Sequence, residues 1–239
     1  MSTLNILSGG AAQGLVASLT PAFKAQTGFD IAGEFGAVGA MADKLRKGAP
    51  ADIVIMTAAL VAKLAEEKLV VVTSMTDVGL VETALAVRTG DPLAAVSDAA
   101  DLREALLASD AIFVPDTKAS TAGIHVANVL QQLDIADEVA TRLRIFPNGA
   151  TAMRKLAVSE ARRPIGCTQS TEIISTKGVT LSGSLPPGCE LATMYTAGIT
   201  SAAAHPQQAR DLIDLLTGAG QHEQRKHAGF ISGGDQPPT

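Results

Sequence analysis

The chain has no tryptophan, one tyrosine and only six phenylalanines in 239 residues. That scarcity argues against a platform for stacking bases and calls for an aliphatic, alanine-rich core. Basic runs are missing too. The formal net charge is −5, which disfavours nucleic acid or an anionic membrane as partner. Two cysteines, Cys167 and Cys189, sit outside any CxxC, and four histidines are scattered. No zinc spacing results, so neither a metal nor another cofactor is expected, and the sequence does not fix whether the cysteines pair. No apolar run is long enough to span a membrane. No basic segment, apolar run and small-residue cleavage site follow Met1, so the expected location is cytoplasmic, or periplasmic if a signal peptide has been removed. What remains is a globular composition, 46% hydrophobic, with enough chain for one large domain or two lobes.

Short apolar runs alternate with helical patterns. Leu4–Leu7 reads as a strand, and Leu15, Leu19 and Phe23 recur every fourth residue on a helix that Gly28 ends. Phe29–Phe35 is a strand, Ala40–Lys47 a helix, and Asp52–Met56 an almost wholly apolar strand before helix Ala58–Lys68. Further strands are read at Thr83–Arg88, Ala111–Val114, Arg144–Phe146, Ile165–Thr168 and Val179–Leu185. Helices are read at Leu102–Ala108, Ala122–Leu133, Ala150–Ser159 and Pro206–Leu216, and Gly233–Thr239 reads as a polar tail. The strand–helix order predicts an α/β fold with a parallel sheet and helices on both sides.

Ligands of open α/β sheets bind beyond the carboxyl ends of the strands. Gly/Ser/Thr-rich stretches fall there: Ser8-Gly9-Gly10, Phe35–Gly39, Lys118–Gly123, Pro147–Ala150 and Gly166–Thr171. Helix N-termini carry unpaired N–H groups and partial positive charge, so such loops can hold an anion without lysine or arginine. The candidate contacts are Ser8, Gly9, Gly10, Val38, Gly39, Thr57, Ser120, Thr121, Asn148, Gly149, Thr168 and Gln169. Turn and cap roles are the plain alternative for each. Cys167 is read as a small buried residue, and Arg154 as a solvated cation able to meet a carboxylate.

The run FGAVGAMADKLRKGAPADIVIMTAALVAKLAEEKLV, with PAFKAQTG, VPDTKASTAGIHVANVL and AAAHPQQARDLIDLLTGAG, resembles the molybdate-binding proteins of ABC transporters. The wider group is the type 2 periplasmic binding proteins. The resemblance implies a two-lobed fold of mixed sheets flanked by helices, with an anion in a cleft between lobes. Lobe 1 would hold 1–82 and 197–239, lobe 2 83–196, with crossings near Val81–Leu85 and Met194–Ile199. Hinge closure on ligand is implied.

The departures carry the functional expectation. Hydroxyl donors of the molybdate binders fall here on Ala11 and Val38, and their tyrosine falls on Gln169. Each lost bond to a buried oxyanion costs about 1.5–3 kcal/mol. An organic polycarboxylate is therefore expected in place of molybdate, and Val38 suits a carbon-bearing ligand. The loops STAGIH and GCTQSTEI are similar to the aconitate isomerase branch of the same group, which implies a cytoplasmic isomerase of an unsaturated polycarboxylate as the alternative. Moving a double bond needs one group to take a proton and one to return it. His125, Glu172 and Tyr195 are the candidates, with Asp116 beside them. A molybdate or other oxyanion receptor, docking on an ABC permease, is the further alternative.

Overall fold

The computed structural model describes residues 2–231; the polar tail lies outside them. The chain through Val81, together with the chain from Thr193 onward, forms one compact unit, and Glu82–Ala192 forms the other.

In the first unit β1 (Thr3–Gly9) leads through a short turn into α1 (Gln13–Thr27), then β2 (Asp30–Gly36), α2 (Val38–Arg46), β3 (Ile53–Thr57) and α3 (Ala58–Glu66). Gly28 closes α1 at φ 75°, its N–H on the Lys24 carbonyl, a conformation that glycine adopts without a Cβ penalty. β1 pairs in parallel with β2 and β3. The returning β9 (Ala192–Ile199) pairs antiparallel with β3, and α9 (Pro206–Thr217) and α10 (His222–His227) follow. The core joins Leu4, Ile6, Leu15, Leu19, Phe23, Ile53, Ile55, Leu64 and Leu212, all essentially without exposure. Asp52 opens β3 from a buried position, accepting the N–H of Asn5 at 2.8 Å and of His205 at 2.9 Å. The acidic residue of the GAPAD run is thus a structural pin between β1, β3 and the start of α9.

The second unit receives β4 (Thr76–Arg88) and continues through α4 (Ala99–Ala108), β5 (Ala111–Pro115), α5 (Thr121–Gln132), α6 (Ala136–Val139) and β6 (Leu143–Phe146). It ends with α7 (Gly149–Ala157), β7 (Pro164–Gln169), α8 (Ser170–Ile174) and β8 (Val179–Ser184). β5 lies parallel between β6 and β7, while β4 runs antiparallel to β7 and β8. Both faces of β5 are buried. Ile112 and Val114 join one apolar cluster with Leu102, Val126 and Leu130, and Phe113 joins another with Met153 and Leu156. Gly166 lets α7 press close to β7: a Cβ there would lie 2.5 Å from Met153 Cε and 2.7 Å from Leu156 Cδ2.

The sheets are mixed, so the parallel order expected from strand–helix alternation holds only for β2-β1-β3 and β6-β5-β7. Strand β4 starts at Thr76, well before the expected Thr83, because Gly79 and the polar Thr76-Asp77 interrupt its apolar pattern. The short α6, α8 and α10 offer too few turns for a helical period to be read.

Candidate functional site

In the first unit the carboxyl ends of β1 and β3, the start of α2 and strand β9 meet. Thr57 stands opposite Tyr195 in the β3–β9 register. A Cβ on Gly9 would lie 2.8 Å from Val38 Cγ1 and 2.9 Å from Tyr195 Cε1. Glycine at that point is a spatial requirement, and Gly9, Val38, Thr57 and Tyr195 lie together here. Ser8 is fully buried, and its hydroxyl donates to the Gly9 carbonyl at 2.9 Å. Gly10 lies buried in the turn ahead of α1 and Gly39 in the first turn of α2. The N-caps of α2 and α3, Ala37 and Thr57, make no side-chain capping bond. Their first-turn N–H groups thus lack a side-chain acceptor, and no charged side chain belongs to this group.

In the second unit α5 begins after Ser120, whose side chain makes no capping bond either. Thr121 is its first residue, and α5 packs hard on the end of β5, where a Cβ on Gly123 would overlap the Asp116 carbonyl. Asp116 turns its carboxylate to the N–H groups of Lys118 and Ala119 at 2.7 and 3.0 Å, so it shapes this loop. His125 Nε2 lies 2.8 Å from the Cys189 carbonyl, which ties α5 to the turn before β9. Both cysteines are buried and free; burial pushes the Cys167 thiol up to about 12, which removes it as a nucleophile.

The loop into α7 behaves differently. Asn148 Oδ1 caps the helix through the Thr151 N–H at 2.8 Å. The N–H groups of Gly149, Ala150 and Gln169 all turn to the Glu172 carboxyl, as does the Thr168 hydroxyl at 2.6 Å. A Cβ on Gly149 would overlap both Glu172 Oε2 and Thr168 Oγ1. Burial pushes the Glu172 carboxyl above the usual carboxylate range, against the pull of these four donors. Three predicted ligand contacts, Gly149, Thr168 and Gln169, thus converge on an internal acid. Sequence reading missed the Ala150 amide and Thr171. Thr171 Oγ1 is buried and makes no hydrogen bond. Backbone donors leave no residue-type signal, and a threonine one place before a candidate acid gave none.

A cavity of about 410 Å³ lies elsewhere in this unit, among Val87, Ala105, Ala108, Pro164 and Ile165 at the start of β7. No residue singled out from the sequence lines it. Among the described residues no group of three or more metal-ligating side chains occurs, and no helix is long and apolar enough to cross a membrane.

With this geometry in hand, residues 4–231 match the model of a family described as bacterial extracellular solute-binding protein. The chain belongs to that family. This solute-binding protein is 25% identical, over 90% of its own chain and 82% of the relative, to an aconitate isomerase from Pseudomonas sp. The periplasmic molybdate-binding protein of Azotobacter vinelandii shares the fold at a TM-score of 0.80 and 18% identity, over 98% of this chain and 100% of that one. PEB3 of Campylobacter jejuni, solved with L-phospholactate, gives 0.69 and 16%, over 96% and 99%. Their fold agrees with the two-lobed expectation.

Proposed function

We propose that this solute-binding protein captures a small organic anion, a polycarboxylate, with backbone N–H groups and hydroxyls at open helix N-termini. One observation carries the reading. α2, α3 and α5 start at the carboxyl ends of parallel strands with no side-chain cap, whereas Asp98 caps α4 and Asn148 caps α7. An uncapped N-terminus leaves donors and partial positive charge for an acceptor from outside the chain. By the resemblance to molybdate binders, Ala11 and Val38 fall at positions of hydroxyl donors to the oxyanion; both are apolar and buried here, which suits a ligand with a carbon skeleton. The extracellular setting of the family is part of the proposal, and an ABC permease is the partner expected in that setting.

A second reading, isomerisation of an unsaturated polycarboxylate, draws on the similarity to aconitate isomerase and on the buried acid Glu172. A thermal-shift series separates the possibilities. The panel holds citrate, cis- and trans-aconitate, related dicarboxylates, sulfate, phosphate, molybdate and tungstate. A ligand at a hundred times its Kd adds about 2.7 kcal/mol of stability. A polycarboxylate hit is expected, and NMR of cis- and trans-aconitate with the protein then reads double-bond migration. A shift with molybdate or tungstate alone would overturn the reading and leave an oxyanion receptor.

A further inference from the structure

The cavity of about 410 Å³ in the second unit lies away from the starts of α5 and α7. It sits at the end of the sheet where β7 begins at Pro164 and β4 ends at Arg88, whereas α5 and α7 start beyond the carboxyl ends of β5 and β6. Its volume falls within the roughly 300–1,000 Å³ of small-molecule sites. One wall is a single stripe of α4, in which Asp101, Glu104, Ala105 and Ala108 recur at i, i+3, i+4 and i+7. The other walls are Val87 of β4, Ala94 and Ala95 of the loop after it, and the segment from Arg162 to Ile165 that enters β7. Alanines keep the space open, and no aromatic ring lines it.

Most polar groups on this lining are already committed. Asp91 is paired with Arg88 at 2.8 Å, Asp101 accepts the Ser97 N–H at 3.2 Å, and the Ser109 hydroxyl donates to the Leu106 carbonyl at 2.7 Å. Arg163 lies 3.9 Å from Asp110. Two charges of opposite sign remain, Glu104 on α4 and Arg162 ahead of β7. Both are exposed, and among the described residues neither side chain makes an ion pair or a hydrogen bond, with the other or with any third group. We propose that this cavity is a separate small-molecule site that takes an aliphatic zwitterion, a free amino acid or a short peptide, with its ammonium at Glu104 and its carboxylate at Arg162. A guanidinium offers a carboxylate two parallel N–H donors, and a carboxylate accepts from an ammonium. A ligand of one charge would leave one of the two lining charges against an apolar body, whereas a zwitterion meets both. Val87, Ile165 and the alanines suit an aliphatic side chain. None of the residues offered for the polycarboxylate lines this cavity, so the two sites stand or fall separately.

The test follows the backbone amides of the intact protein by NMR. L-leucine and L-leucyl-L-leucine at millimolar concentration should shift the amides of Ala94, Ala105, Ala108 and Ile165 saturably, and the tighter of the two tells a free amino acid from a peptide. N-acetyl-leucine keeps only the carboxylate and leucinamide only the ammonium. Each should bind roughly tenfold more weakly or worse, the cost of one lost charge-assisted bond. Arg162→Gln should weaken leucine but not leucinamide, and Glu104→Gln should weaken leucine but not N-acetyl-leucine. Both side chains are exposed, so these variants keep the fold. Ala108→Leu, also at an exposed position, fills the space and should abolish the shifts. The absence of saturable shifts at these amides with either zwitterion, or equal binding of the zwitterions and their singly charged analogues, would overturn the inference. Shifts confined to the starts of α5 and α7 would place the zwitterion elsewhere and overturn it too. Neither result touches the thermal-shift outcome for polycarboxylates.

Discussion

The two units present anion donors in opposite states. At the edge of the first, Gly9, Val38, Thr57 and Tyr195 meet with no charged side chain among them, and α2 and α3 start uncapped. At the α7 loop of the second, Asn148 caps the helix and Glu172 engages the first amides. The same physical resource, a helix N-terminus at the end of a strand, is open in one place and occupied in the other. A glycine-rich loop therefore does not by itself mark a free anion site; what matters is whether the chain supplies its own acceptor.

The sharpest way to break this contrast is to remove the space around Glu172. Gly149→Ala sets a methyl against Glu172 Oε2 and Thr168 Oγ1, two buried polar atoms with little room to move. Overpacking of this kind costs typically about 1–3 kcal/mol, and expelling a buried acid from its donors adds to it. Gly9→Ala meets Val38 Cγ1 and Tyr195 Cε1 at 2.8 and 2.9 Å, a milder clash. Urea denaturation should show a larger loss for Gly149→Ala than for Gly9→Ala, and the reverse order would contradict the fitted cluster.

The second effect is read against pH. The folded-state pKa of Glu172 is raised above its unfolded value by burial. Its stabilising contribution is therefore complete below the unfolded glutamate pKa of about 4.3 and is lost as pH rises through the folded value. Glu172→Gln has no such loss. The stability of the natural protein should fall relative to the variant as pH rises from about 4 towards neutrality. Parallel stability curves across that range would show that the acid titrates normally.

Much of this was legible in the sequence, for stated reasons. Apolar runs such as Ile53–Met56, buried on both faces, and the periodic Leu15, Leu19 and Phe23 gave the strands and helices that carry both cores. Gly9 ends one parallel strand and Val38 follows another, and the loops after such strands gather at one edge, but nothing in the spacing puts Tyr195 of the antiparallel β9 beside them. The state of α7 was not legible either. Nothing in the spacing of Asn148, Thr168 and Glu172 says that a carboxyl 23 residues beyond a helix start will fold back onto its amides. That contact is set by the close approach of α7 to β7 at Gly166, a tertiary fact. Likewise Asp116 and His125, which the sequence offers for proton transfer, are tied to backbone groups of the loop after β5 and the turn at Cys189.

The smallest expected effects on stability compare the two helix starts within the second unit. Asn148 caps α7 through a 2.8 Å bond, whereas Ser120 makes no such bond at α5. Asn148→Ala should therefore lower stability by about 1 kcal/mol, the usual cost of a lost cap. Ser120→Ala should leave stability within about 0.5 kcal/mol, as substitutions away from such features do. Ligand affinity should show the opposite pattern. A hydroxyl that is not engaged by the helix can bond a bound carboxylate, and a bond to a charged group contributes about 1.5–3 kcal/mol. Ser120→Ala should thus weaken binding of the panel's best anion by roughly tenfold or more. Asn148→Ala, whose carboxamide is already engaged, should weaken it far less. Equal losses of affinity in the two variants would mean that the open or capped state of a helix start does not decide which loops meet the ligand.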